Sequence, residues 1–172
     1  LVLAPTRTLT NQIVVPVTNN EFDVRVSGRA HVLVDVVGSF TSSASNPGGD
    51  GLYVPVVSTS LHVPAQAGVD PFTDPYGNIL RPEVSRTVSF AAPVFGPAVG
   101  ALSLVLEVQP LQPGFVTVWA SGPRPWTTNV FSQFGNQRMS VAATTGVSGS
   151  GFEVIATEHT FVGVTALGYY SA

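Results

Sequence analysis

Cysteine is absent from these 172 residues, which excludes disulfides, thiolate metal sites and a cysteine nucleophile. Lysine is absent too, so the seven basic residues are all arginine, scattered between Arg7 and Arg138. Sequence-independent nucleic-acid binding needs clustered Lys and Arg, and the sequence holds no such cluster. Charged residues make up 10% of the chain, against roughly 25% in an ordinary soluble domain. Hydrophobic residues make up 44%. Disorder requires the opposite balance, so a folded core is expected, with more apolar surface than one small monomer buries. Burial in an oligomer or against a neighbouring domain is the natural remedy. No apolar run reaches the roughly 18 residues of a membrane helix. The chain opens LVLAPTR, without Met or the basic segment of a signal peptide, and is expected to be a mature or trimmed product.

What the sequence does contain is alternation with a period of two. Val84, Arg86, Val88 and Phe90 alternate with Ser85, Thr87 and Ser89. Leu102, Leu104, Leu106 and Val108 alternate with Ser103, Val105 and Glu107, and Phe115, Thr117 and Trp119 with Val116 and Val118. Each run predicts a strand with one face turned inward. QIVVPV (12–17) and LYVPVV (52–57) carry one proline each. Proline cannot donate to a ladder, so both are expected at a sheet edge or a bulge. Fourteen Pro and seventeen Gly break up the remainder and leave no room for a long helix. The expected fold is all-β, an antiparallel β-sandwich of jelly-roll or immunoglobulin-like type with little or no helix.

One segment occurs twice. FDVRVSGRAHVLVDVVGSF (22–40) aligns without a gap to FEVIATEHTFVGVTALGYY (152–170), at a constant offset of 130. Phe22, Val24, Val32, Val34 and Gly38 recur as Phe152, Val154, Val162, Val164 and Gly168. The pattern predicts a hairpin with a three-residue loop at 28–30 in the first copy and 158–160 in the second. That frame sets Phe22, Val24 and Val26 against Val36, Val34 and Val32 on one apolar face, and Phe152, Val154 and Ala156 against Ala166, Val164 and Val162 in the second copy. SGSG (148–151) is expected to be another hairpin loop, and TSSASNPGGDG (41–51) a polar linker.

GFVTVWASGPRPWTTNVFSQFGNQ (114–137) resembles the middle of a repeat, similar in length to this 130-residue offset, that occurs in secreted actinobacterial proteins. HVLVDVVGSF (31–40) resembles the closing strand of that repeat, and LYVPVVSTSLHVPAQ (52–66) its opening. GVTALGYYS (163–171) matches the closing strand with Thr165 in place of an aspartate, and the Asp-Thr-Arg that usually follows the opening is missing here. The resemblance implies an accessory module on surface proteins and beside cell-wall or polysaccharide hydrolases, with no catalytic role of its own. It also implies that residues 1–41 are the last third of a preceding repeat, that 42–51 are a linker, and that 52–172 are a complete repeat.

The candidate chemistry is sparse. GVSGSG (146–151) does not form the G-x-S-x-G of a hydrolase nucleophile. His31, His62 and His159 fall in a strand, a Pro-flanked segment and a loop. The paired carboxylates of a glycosidase have no visible candidates, since Glu107 and Glu153 lie on outward strand faces. Asp70, Asp74 and Asn78 share one loop and offer oxygen ligands for calcium. Their spacing is not that of an EF-hand, and all three are ordinary turn formers. Asp50 is a weaker candidate, and no other cofactor is implied. Trp119, Trp126 and Tyr76, with Arg124 beside Trp126, are candidate ligand-binding residues for a sugar, but the favoured expectation is that Trp119 lies in the core and Trp126 packs its loop. Asp35 is expected to pair with Arg25 or bond nearby backbone N–H groups.

The expected function is therefore a non-catalytic, secreted or cell-surface structural or adhesive module. It would assemble through β-strands and apolar faces, with a neighbouring β repeat or as a head-to-tail homo-oligomer that extends into a filament. Phe22, Val24, Val26, Val32, Val34 and Val36 are the expected interface. The rival expectation is a carbohydrate- or cell-wall-binding module accessory to a secreted hydrolase. Nucleic-acid binding and membrane insertion are not expected.

Overall fold

A computed structural model describes residues 12, 15, 17–19, 21–32, 34, 36, 51–64, 79–90, 95, 98–126, 128–149 and 151–172. Among them nine strands form: β1 (Tyr53–Leu61), β2 (Ile79–Leu80), β3 (Arg86–Ser89), β4 (Val99–Pro110), β5 (Gly114–Trp119), β6 (Val130–Ser132), β7 (Met139–Gly146), β8 (Gly151–Ala156) and β9 (Thr160–Ser171). They make two antiparallel sheets packed face to face, an all-β sandwich. The larger has the order β1-β9-β4-β7, with β2 pairing the start of β9, and the smaller has the order β3-β8-β5-β6.

The period-2 pattern explains which side chains meet. On β4, Leu102, Leu104, Leu106 and Val108 are shut off from solvent, and on β9 Val162, Val164 and Ala166 are. The smaller sheet answers with Val88, Val116, Val118, Phe152, Val154 and Ala156. Together they form one continuous core. Inward-facing rows on two sheets interdigitate across a gap of about 10 Å. Phe95 plugs one end, edge-on to Phe90 at 5.1 Å and to Tyr169 at 6.4 Å.

Pro55 sits where its chemistry allows. β1 is an edge strand of the larger sheet, and its ladder with β9 is interrupted directly after Pro55. Pro55 lies opposite Gly168 and Thr59 opposite Ala166, so Val56, Val57 and Ser58 bulge out against Leu167. The β4–β9 ladder steps over the same residue, Leu167, between Ser103 and Leu104. A bulge on both flanks of one residue bends the sheet at that point.

The repeated segment does not form the predicted hairpin in its second copy. β8 pairs with β3 and β5 in the smaller sheet, whereas β9 pairs with β1, β2 and β4 in the larger. The connection at Thr157, Glu158 and His159 is an arch that crosses the core. It runs beside a second arch from β4 to β5. The Thr157 N–H donates to the Phe115 carbonyl at 3.0 Å, and the Leu111 N–H donates to the His159 carbonyl at 2.8 Å. The residues of the inferred apolar pairs are all buried in the core, but on strands of opposite sheets. The stretch at 148–151 is likewise no hairpin loop, because β7 and β8 belong to opposite sheets. It is a tight turn in which Ser148 and Gly151 exchange two backbone hydrogen bonds, with Gly149 at a φ of 62°.

In the first copy, the described residues between 22 and 36 carry no ladder. The nearest pairing is an isolated bridge between Thr18 and Glu21.

Candidate functional site

The outer face of the smaller sheet carries an open depression. Cross-strand pairing aligns Thr87 with Glu153 and Glu153 with Trp119, so β3, β8 and β5 each contribute one side chain to a single row. Thr87 Oγ1 donates to Glu153 Oε1 at 2.6 Å, which holds the carboxylate in place. The indole N–H of Trp119 donates to the Gly122 carbonyl at 3.1 Å. That fixes the ring against a turn in which Gly122 adopts a φ of 80°. Ser85, Arg86 and Thr87 lie on one side of a hollow of about 550 Å³ and Trp119 and Gly122 on the other, with Glu153 between them. The Nε of Arg86 is shielded from solvent and makes no hydrogen bond. An aromatic plane beside a fixed carboxylate suits a polar ligand with an apolar face.

Trp119 therefore corrects one expectation, since it is not a core residue. Val116 and Val118 take the inward face of β5 instead, so the alternation turns Trp119 outward and the general tendency of Trp to be buried misleads here. Trp126 is fully exposed, at 107% of its reference surface, so it does not pack its loop as expected. Arg124, two residues before it, is bound to Glu83 at 2.6 Å. The two side chains share a loop, but Arg124 is engaged elsewhere. Tyr76 lies outside the described residues, as do Asp70, Asp74, Asn78, Asp35 and Asp50.

The outward placement of Glu107 and Glu153 holds. Glu107 pairs with Arg138 at 2.8 Å, and Glu153 takes part in the depression. His31, His62 and His159 are all exposed. Among the described residues, no three His, Asp or Glu side chains gather into a group able to hold a metal ion. No helix of the described residues is long and apolar enough to cross a membrane.

Two further surfaces stand out. On β5 and β6, Phe115 and Phe131 stack with ring centres 4.7 Å apart, and Phe115 remains 41% exposed. On the outer face of the larger sheet, Tyr53 and Tyr170 lie 5.3 Å apart. The Tyr53 hydroxyl donates to the Leu167 carbonyl at 3.2 Å. Burial, and then the neighbouring Tyr53 phenol, push the Tyr170 hydroxyl above the usual tyrosine range, while a hydrogen bond with Thr144 pulls it back in part. Thr144 also accepts from the Gln12 amide at 2.7 Å.

The predicted interface residues are all open to solvent. Phe22 is 41% exposed, Val24 54%, Val26 48%, Val32 51%, Val34 51% and Val36 79%. Comparison with family models, curated proteins and solved structures finds no match to this chain.

Proposed function

We propose that the chain is a non-catalytic, extracellular structural or adhesive module that assembles through β-strands and apolar faces into a head-to-tail homo-oligomer. The observation that carries this reading is the exposure of Phe22, Val24, Val26, Val32, Val34 and Val36. Single exposed valines are ordinary, but apolar residues repeated at strand period on one short segment are the mark of a surface that another chain covers. The low charge of the sequence and its resemblance to a surface-protein repeat support the same reading.

The test is light scattering over a range of concentrations on the full chain and on a Val24→Asp/Val34→Asp variant. The wild type should grow in mass with concentration and the variant should not. A wild type that stays a monomer throughout would sink the proposal.

A second reading, a carbohydrate- or cell-wall-binding module, draws on the open ring of Trp126 and the Trp119 hollow. Saturable binding on a glycan array, lost in Trp126→Ala or in Trp119→Ala, would favour it and would say which ring is used.

A further inference from the structure

We infer that residues 22–41 are a second, interchangeable copy of the β8–β9 arch, able to close the same sandwich that residues 152–171 close in this structure. The inference deepens the proposed function and rests on it, since it names the surface that the exposed N-terminal face fits. That surface is the double slot between β3 and β5 in one sheet and between β1 and β4 in the other.

The fit can be followed residue by residue at the offset of 130. The fully buried Phe152, Val154, Val162 and Val164 are matched by identical residues at 22, 24, 32 and 34. The hydroxyl of Thr157, which accepts from the Phe115 N–H at 2.9 Å, is matched by Ser27. Glu153, the acceptor of the Thr87 hydroxyl, is matched by Asp23. A Cβ at Gly168 would lie 2.5 Å from the Tyr53 ring and displace it, and the first copy has glycine at 38. Tyr170, which packs on Tyr53, is matched by Phe40.

The chain also has the length to make the exchange. Ser171 at the end of β9 is bonded to the residues that lead into β1. The Gly51 N–H donates to the Ser171 carbonyl at 2.7 Å, and the Ser171 N–H donates to the Leu52 carbonyl at 3.0 Å. Residue 41 is the counterpart of Ser171. A segment placed by the first copy would therefore end beside Gly51, and residues 42–50 have only to close a loop between neighbouring points. Extended chain covers about 3.3–3.6 Å per residue, so the linker is more than long enough.

The structure also shows why the second copy holds the slot. Tyr169 packs against Phe95, and its counterpart is Ser39. Ile155 is buried, and its counterpart is Arg25, whose charge would lose water there. Ala166 has no exposed surface, and Val36 would overfill its site. The first copy is thus the weaker occupant of a place it otherwise matches.

Hydrogen–deuterium exchange on the full chain tests this. In the wild type, diluted until light scattering shows the monomer, amides at 152–166 should be protected and those at 22–36 should exchange freely. A Val154→Asp/Val164→Asp variant disables the second copy. Its protection should move to 22–36, with β4 and β5 still slow to exchange. A Val24→Asp/Val34→Asp variant should keep the wild-type pattern. Adding those two changes to Val154→Asp/Val164→Asp should abolish protection everywhere. The inference is overturned if Val154→Asp/Val164→Asp is already as unprotected as the fourfold variant. The proposed function is judged separately, by the wild-type mass, so the two can fail independently.

Discussion

Asn129 extends a sheet beyond the strand it belongs to, and replacing it should be costly. β6 pairs with β5 over Val130, Phe131 and Ser132. Beyond Val130 the ladder is continued by Asn129 itself. Its N–H donates to the Val116 carbonyl at 3.1 Å, and its side-chain Oδ1 accepts from the Val118 N–H at 2.8 Å. Thr128 supports the turn by bonding the Val116 and Val130 carbonyls through Oγ1. Val118 is 5% exposed, so water is a poor substitute partner for its amide. Asn129→Ala strands that N–H, and a buried donor left without an acceptor costs about 1–3 kcal/mol. With a urea slope of about 2 kcal/mol per M for a small protein, the midpoint should fall by roughly 0.5–1.5 M with the slope unchanged. Asn129→Asp keeps an acceptor oxygen in the same place and should recover most of the loss. Urea titrations followed by the fluorescence of Trp119, on the same strand, report both. If Asn129→Ala unfolds at the wild-type midpoint, or if Asn129→Asp is as weak as the alanine variant, the side chain is not completing the ladder.

Three further outcomes follow from the packing and the charges. Leu104→Ala, between the two sheets with no exposed surface, should lose about 3–5 kcal/mol in chemical denaturation, and a loss under 1 kcal/mol would mean that the core collapses around the gap. Gly135→Ala would drive a methyl into the Leu111 carbonyl. Because the obstacle is backbone, the loop must shift, at a cost of about 1–3 kcal/mol, seen as a lower midpoint that Gly149→Ala would not reproduce by this route. The raised Tyr170 hydroxyl means that the unfolded chain gives up this proton first as pH rises. The folded state is therefore fully favoured below about pH 10 and loses stability above it. Tyr170→Phe should flatten that alkaline decline in thermal melts, and an unchanged slope would place its origin elsewhere.

Particular strands show what the sequence made legible. Leu102 to Val108 have a two-residue period that states which side chains point inward, and the structure agrees at each, whereas on β5 the expectation of a core Trp119 fails because Val116 and Val118 take the inward face. Pro55 marked an edge or a bulge and is found at both. The segment 152–170 shows the limit. Alternation identifies the buried face of a strand, but it is identical for two strands side by side in one sheet and for two strands facing each other across a core. The choice between hairpin and arch depends on what β3, β5, β4 and β1 offer as ladder partners, and those contacts are distant in sequence. The Trp119 hollow was illegible for the same reason. Thr87, Glu153 and Trp119 become neighbours through strand order, and no spacing along the chain records it.

The bonding of Ser171 to Gly51 and Leu52 has a mechanical consequence. Tension entering the sandwich at Gly51 and leaving at Ser171 would act at one end of the β1–β9 ladder, with the two points of force side by side. Hydrogen bonds would then be loaded in succession from Tyr53 towards Leu61 instead of all together. Each contributes a net of about 0.5–1.5 kcal/mol, so the strands would peel apart at low force. The bulge after Pro55, where the ladder is already broken, is where such peeling would first run ahead. Strung in series, units of this kind would lengthen under load before they detached.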